Sequence, residues 1–341
     1  MTEDAAWIRA RFHDLIAPEL FARSRPVDEP LWIGLGGQPG AGKTHGRDRA
    51  LRLNNGTPVT AIIGDDLRAY HPDYRRLIRE DPLAMPAATA AASARWVELA
   101  LEHAQEHHYN VLVEGTFRRP EVTLNTAARF HDAGYRTHLV AIAVPPWESQ
   151  LSSIERFQLD HEAGLTARWT DPAAHLAGVQ GTPATLDAAA DASQIDRITV
   201  VTRDGTTLFD QTRPAPLSAA ADVLRDLHST PPSHAERLEW ELRRRDVVTY
   251  LQRELPHAPE TAFAVRALDT YAGQLTRLHG QTAPAGPHLQ NLADLNAEIR
   301  RTADRAARSA SAASGSRHAD PATPTVDPPA DASIRRHGPQ L

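Results

Sequence analysis

Residues 37–44 read Gly37-Gln38-Pro39-Gly40-Ala41-Gly42-Lys43-Thr44, which fits the pattern G-x-x-x-x-G-K-[ST]. The segment lies between an apolar, strand-like run, LWIGLG at 31–36, and a helical stretch over 43–53. That strand–loop–helix context gives the pattern its physical meaning. Gly37, Gly40 and Gly42 let the backbone curl so that amide N–H groups point inward at phosphate oxygens. The helix N-terminus adds partial positive charge at the same place. Lys43 has the reach for the β- and γ-phosphates of a nucleotide, and the Thr44 hydroxyl suits Mg²⁺.

The surrounding chain alternates strands with helices. After the run at 31–36, strands are expected at 59–64 (VTAIIG), 110–114 (NVLVE), 136–144 (RTHLVAIAV) and 196–203 (DRITVVTR). Asp204-Gly205 predicts a hairpin from the last of these into TTLFD. Helices are expected at 3–22, 43–53, 85–107, 120–133 and 147–159. This order implies right-handed crossovers and an α/β fold, a mostly parallel sheet of the P-loop NTPase type flanked by helices. Residues 231–312 change character, with charged helical stretches at 234–254, 260–279 and 288–310. Residues 313–341 hold five prolines and almost no large apolar side chains. The expected organisation is a P-loop domain over 1–230, a helical appendage over 231–312 and a disordered tail over 313–341.

Composition narrows the function classes. Among 37 basic residues, 36 are arginine, and the single lysine is Lys43. A chain so committed to arginine reflects a GC-rich genome, yet it keeps a lysine inside the phosphate loop. A slim ammonium is a compact point charge that fits between two phosphates. A planar guanidinium is wider and fans its donors outward. There is no cysteine, which removes disulfides, thiolate metal sites and thiol catalysis. No apolar run reaches the ~20 residues needed to span a bilayer, and the acidic, amphipathic start carries no signal-peptide pattern. A cytoplasmic location without membrane association is expected. The net charge of −6 argues against broad binding to nucleic acid backbones.

The other candidate residues sit where the expected strands end, because ligands of open α/β sheets bind at the carboxyl ends of the strands. The second strand delivers Asp65-Asp66. A carboxylate there can take the proton of an acceptor hydroxyl, or can cap the following helix, and both roles stay open. The third strand ends in Glu114, placed to hold the water shell of Mg²⁺. Arg118 and Arg119 follow, able to grip phosphate or to stand as a surface pair. Arg156 and Arg168 flank a segment able to close over phosphates, or stand as solvated surface residues, and Glu98 lies on the alanine-rich helix, where a solvated carboxylate is the default.

The order GQPGAGKT, D-D-L-R-x-x-H-P (65–72), V-E-G-T-x-R (113–118), A-V-P…I-E-R-F (143–157) and L-T-A-R (165–168) resembles the zeta toxins of bacterial toxin–antitoxin systems. The likeness covers roughly residues 30–210. It implies an ATP- and Mg²⁺-dependent phosphotransferase with an alcohol acceptor, the 3′-hydroxyl of UDP-N-acetylglucosamine, and hence a block in cell-wall precursor synthesis. It also implies a small antitoxin partner. By position the resemblance makes Asp65 the general base, Arg156 and Arg168 the arginines on the ATP phosphates, and Glu98, Arg118 and Thr126 the lining of the sugar-nucleotide pocket. Phe117 departs from the small residue expected at its position and is placed to reshape that pocket. A P-loop kinase of another acceptor (NAD, a different nucleotide sugar or an antibiotic) and a non-catalytic ATP-binding regulatory module stay as alternatives. The intact set Lys43, Thr44, Asp65, Arg156 and Arg168 speaks against the last.

Overall fold

A computed structural model describes residues 5–165 and 167–280. In chain order the elements are α1 (Ala5–Arg11), α2 (Ala17–Leu20), β1 (Leu31–Gly36), α3 (Lys43–Leu53), β2 (Thr60–Ile63), α4 (Gly64–Leu67), α5 (Tyr74–Glu80), α6 (Met85–Ala88) and α7 (Ala90–Glu106). They continue with β3 (Val111–Gly115), α8 (Pro120–Asp132), β4 (Arg136–Ala143), α9 (Pro146–Glu162), α10 (Pro172–Asp191), β5 (Arg197–Thr202) and β6 (Thr207–Thr212). The last are α11 (Ala219–Ser229), α12 (His234–Glu254) and α13 (Pro259–Gly280). A π-helical turn, Phe12–Ile16, joins α1 to α2. The expected third appendage helix, 288–310, and the tail, 313–341, lie outside the described residues.

The strands form one six-stranded sheet in the order β2-β3-β1-β4-β5-β6, parallel except for the β5–β6 hairpin. Strand β1 is central, so the phosphate loop that follows it opens at the middle of the carboxyl edge. The alternation of side chains across the pleat divides the core in two. Trp32, Val111, Leu139, Ala141, Ile198 and Val200 face a cluster with the N-terminal helices, α7, α8 and α11. Ile33, Leu35, Leu112, Val140 and Ile142 face the other way, onto Ala50 of α3. Both faces of the sheet are therefore covered, as strands this uniformly apolar require.

The N-terminal helices pack on α7. Ile8, Phe12 and Ile16 are buried in the first cluster, and the Trp96 indole donates to the Ile8 carbonyl at 3.1 Å. The helix expected over 85–107 divides at Thr89 into α6 and α7. Thr89 Oγ1 donates to the Met85 carbonyl at 2.9 Å and accepts from Arg68 Nη1 at 2.7 Å. Helices α5, α10 and α11 had no counterpart among the expectations. A third cluster joins Leu151, Ile154 and Phe157 of α9 to Trp240, Val247 and Leu251 of α12 and Val265 and Leu268 of α13. Helices α12 and α13 are thus packed against the helix that carries Arg156. No helix among the described residues is long and apolar enough to cross a membrane.

Candidate active site

The phosphate loop is shaped by two left-handed glycines. Gly40 has φ 77° and Gly42 has φ 87°. Gly42 is the N-cap of α3, and a Cβ on Gly40 would collide with the Ser149 carbonyl of α9. The loop therefore lies too close to α9 for any side chain at position 40. Gln38 is fully buried and holds the loop from beneath. Its Nε2 donates to the Val144 carbonyl at 2.7 Å and to Ser149 Oγ at 3.2 Å. Ser149 Oγ in turn hydrogen-bonds His175 Nε2 of α10 at 2.9 Å. Burial, then the charges of His228 and Lys43, push the His175 pKa down to about 4, so this imidazole is neutral near pH 7.

A neutral buried histidine has a consequence for stability. Its folded pKa lies below its unfolded value near 6.5, so its contribution is present above that pH and is lost as pH falls toward 4. Between pH 6.5 and 5 this loss amounts to about 1.5 kcal/mol. Urea unfolding of His175→Gln at the two pH values is expected to show a decline smaller by that amount than in the parent chain. An equal decline would mean that His175 does not stay neutral in the folded protein.

Lys43 begins α3, and its ammonium donates to the Gly37 carbonyl at 3.2 Å, so the side chain folds over the loop. Burial lowers its pKa; Glu114 and Asp65 pull the other way, and Arg156 adds to the depression. Thr44 is exposed beside it. Glu114 pairs in register with Leu35 of β1 and Ile63 of β2, which places the residue between the ends of both strands. Burial raises its pKa, against the pull of Lys43 and with the help of Asp65 and Asp66.

Asp65 lies at the start of α4, just past β2. Its Oδ1 accepts from Arg68 Nε at 3.0 Å, and Arg168 Nη1 lies 3.5 Å from Oδ2. Burial alone would raise this carboxyl. Arg168 and Arg68, with Arg156 behind them, outweigh that and hold it below the ordinary carboxylate range. Arg168 Nη2 also reaches Asp66 Oδ1 at 3.3 Å. The capping role left open for these aspartates is corrected here: the N-cap of α4 is Ile63, with no side-chain cap hydrogen bond. Arg156 is exposed, makes no hydrogen bond or ion pair among the described residues, and is near enough to act on both Lys43 and Asp65.

Lys43, Glu114, Asp65, Arg156 and Arg168 are thus coupled electrostatically at one edge of the sheet. The other three candidates are placed differently. Glu98 is ion-paired with Arg129 of α8 at 3.0 Å. Thr126 returns its hydroxyl to the Val122 carbonyl at 2.9 Å, less than one turn from Arg129. Glu98 therefore lies where α7 meets α8, and Thr126 sits on α8 three residues before Arg129. Arg118 is exposed in the turn after β3, its backbone pressed against Gly181 of α10. Phe117 does not project into an open pocket. It has φ 46° and is 5% exposed, with its ring on Gly36, where no Cβ would fit.

Several residues with no assigned role also build the site. Arg68 Nη1 donates to the Pro86 carbonyl at 2.6 Å as well as to Thr89, which fixes the cation beside Asp65. Its signal was the short spacing Asp65-x-x-Arg68. Arg203, at the end of β5, donates to the Gly40 carbonyl of the loop and pairs with Glu148 at 3.0 Å. Its position at a strand's carboxyl end could have found it. Glu148 also binds Arg243 of α12 at 3.1 Å, and Arg243 binds Glu155 at 2.7 Å. A chain of charges therefore runs from α12 through α9 to the phosphate loop. Beside it, a cavity of about 880 Å³ is lined by His45 and Asp48 of α3, Trp147, Arg203 and Thr206.

The residues fit a nucleotide triphosphate and its metal. The loop has the curl and the helix N-terminus that phosphates require, one ammonium lies over it, and Thr44 and Glu114 supply oxygen donors suited to Mg²⁺.

Comparison with known proteins agrees with this architecture. The family model described as Zeta toxin matches residues 19–213. Toxin zeta of Enterococcus hirae is 28% identical over 211 residues, 62% of this chain and 73% of that protein. Toxin PezT of Streptococcus pneumoniae serotype 4 is 30% identical over 200 residues, 58% of this chain and 78% of that one. A solved structure from the PezAT chromosomal toxin–antitoxin system of S. pneumoniae aligns with a TM-score of 0.61 at 25% identity, covering 72% of this chain and 98% of its own. With more than half of its 341 residues matched by that model, the chain belongs to the zeta toxin family.

Proposed function

We propose that this protein is a toxin kinase that transfers the γ-phosphoryl group of ATP to the 3′-hydroxyl of UDP-N-acetylglucosamine. The observation that carries the reading is the pairing of a phosphate loop with an ionised aspartate, Asp65, at the end of the neighbouring strand pair. The loop amides and Lys43 bind the β- and γ-phosphates. Thr44 and Glu114 are the residues to hold Mg²⁺, directly or through its water shell, and the ion supplies charge neutralisation at the phosphates. Asp65 takes the proton of the sugar hydroxyl as its oxygen bonds to the γ-phosphorus and the bond to ADP breaks.

Arg168 links the two halves of this scheme. It is ion-paired with Asp65 and Asp66. A guanidinium in that position can exchange carboxylates for phosphate oxygens when the nucleotide is bound. The exchange frees Asp65 from one depressing cation and raises its basicity at the moment a base is needed. Arg156, exposed and unpaired among the described residues, joins it on the developing charge. Glu98, Arg118 and Thr126 are proposed to contact the sugar-nucleotide, with Glu98 exchanging Arg129 for it.

A small antitoxin is the proposed protein partner, supported by the likeness to the PezAT toxin–antitoxin structure. ADP release tests the kinase reading. It is expected to be slow with ATP and Mg²⁺ alone and to rise on addition of UDP-N-acetylglucosamine. ADP release unaffected by that sugar-nucleotide would set aside this acceptor.

A further inference from the structure

A second cluster of ligand-type side chains lies away from the phosphate loop. The last turn of α7 and its C-cap carry His103, Glu106 and His107 at positions i, i+3 and i+4, so all three share one face. One ligand atom from each lies within 4.8 Å of the others. The two imidazoles stack with ring centres 4.2 Å apart. His107 Nδ1–H donates to the His103 carbonyl at 2.8 Å, which fixes the tautomer and leaves Nε2 as its outward lone pair. A carbonyl bond on the far nitrogen is how proteins orient a metal-binding imidazole. The cluster borders a cavity of about 330 Å³, also lined by His13, Phe21 and Tyr109. His13 comes from the π-helical turn Phe12–Ile16, a kind of irregularity that often marks functional positions.

We propose that His103, Glu106 and His107 form a binding site for a divalent transition-metal ion of the zinc type. Two imidazoles and one carboxylate are the donors such ions accept, and Mg²⁺ is poorly served by them. The site is separate from the phosphate pocket. Ser93, near the start of α7, bonds the Gly64 carbonyl beside Asp65 at 2.6 Å, and His103 lies ten residues further on, about 15 Å along the helix. An ion there ties down the end of α7 next to the N-terminal segment, so its effect is on stability.

The test uses the full chain, stripped of metal, titrated with Co²⁺ and read by its visible absorption, with thermal unfolding followed in Zn²⁺ or Mg²⁺. Glu106 and His107 are exposed, so Glu106→Gln and His107→Gln are expected to fold. The wild type should bind one equivalent more than His107→Gln and be stabilised by Zn²⁺ but not by equal Mg²⁺. Glu106→Gln should bind about tenfold more weakly or worse. ATP turnover of His107→Gln should match the wild type. The proposal is overturned if wild type and His107→Gln take up the same number of equivalents with the same thermal response. It is also overturned if the wild type binds no Co²⁺, or if His107→Gln loses ATP turnover.

Discussion

Lys43→Arg is expected to lose roughly 10²–10³-fold or more in ATP-dependent turnover, the scale of losing one pre-placed charge donor in a transition state. The substitution keeps the charge and changes its shape. Lys43 Nζ sits 3.2 Å from the Gly37 carbonyl, folded over a loop whose glycines leave no spare volume. A guanidinium is wider, and it carries fixed in-plane donors where a point charge between two phosphates is wanted. Its surroundings add to the cost. Arg156 is already near enough to depress Lys43, and a delocalised cation extends further toward it. The checks are circular dichroism for the fold and ADP release for turnover. A folded Lys43→Arg protein with full turnover would undo the shape argument and leave the lone lysine as an accident of composition.

Asp65→Asn is expected to retain ATP binding and to lose roughly 10²–10⁴-fold in turnover, the usual range for a general base. The side chain is isosteric and half exposed, so little folding energy is at stake. What disappears is the proton acceptor and the negative partner of Arg68 and Arg168. The arginines hold the carboxyl below its ordinary range, so it is ionised throughout neutral pH. Because kcat/KM reports the free enzyme, in which Arg168 is still paired with Asp65, it should stay level as pH falls from 8 to about 5, on the usual carboxylate pKa scale. Equilibrium binding of ATP and the initial rate separate the two effects. Unchanged turnover in Asp65→Asn would move the base elsewhere, with Asp66 the first alternative.

The parts of the fold readable in advance were those whose local pattern agrees with their tertiary role. LWIGLG forms β1 over the expected residues because it is buried on both faces, and His234–Glu254 forms a helix introduced by a capping box at Ser233 and Glu236. Helix α10 was not readable because its helix breakers serve contacts. Gly178 lies against Gln38 of the loop, Gly181 against the Arg118 backbone, and Pro183 sits within the helix. Tertiary packing overrides propensity there. The same division holds in the site. Lys43, Asp65 and Glu114 follow from strand ends and one motif. The charge chain from Arg243 through Glu148 to Arg203 joins residues far apart in sequence, and no local spacing announces it.

The most direct measurement is incubation with ATP, Mg²⁺ and a panel of nucleotide sugars, NAD and aminoglycosides, read by mass spectrometry. UDP-N-acetylglucosamine is expected to gain the mass of one phosphoryl group, matched by ADP, and Asp65→Asn to prevent the gain. ATP consumed with no phosphate on any nucleotide sugar, or phosphate appearing on NAD or an aminoglycoside instead, would contradict it.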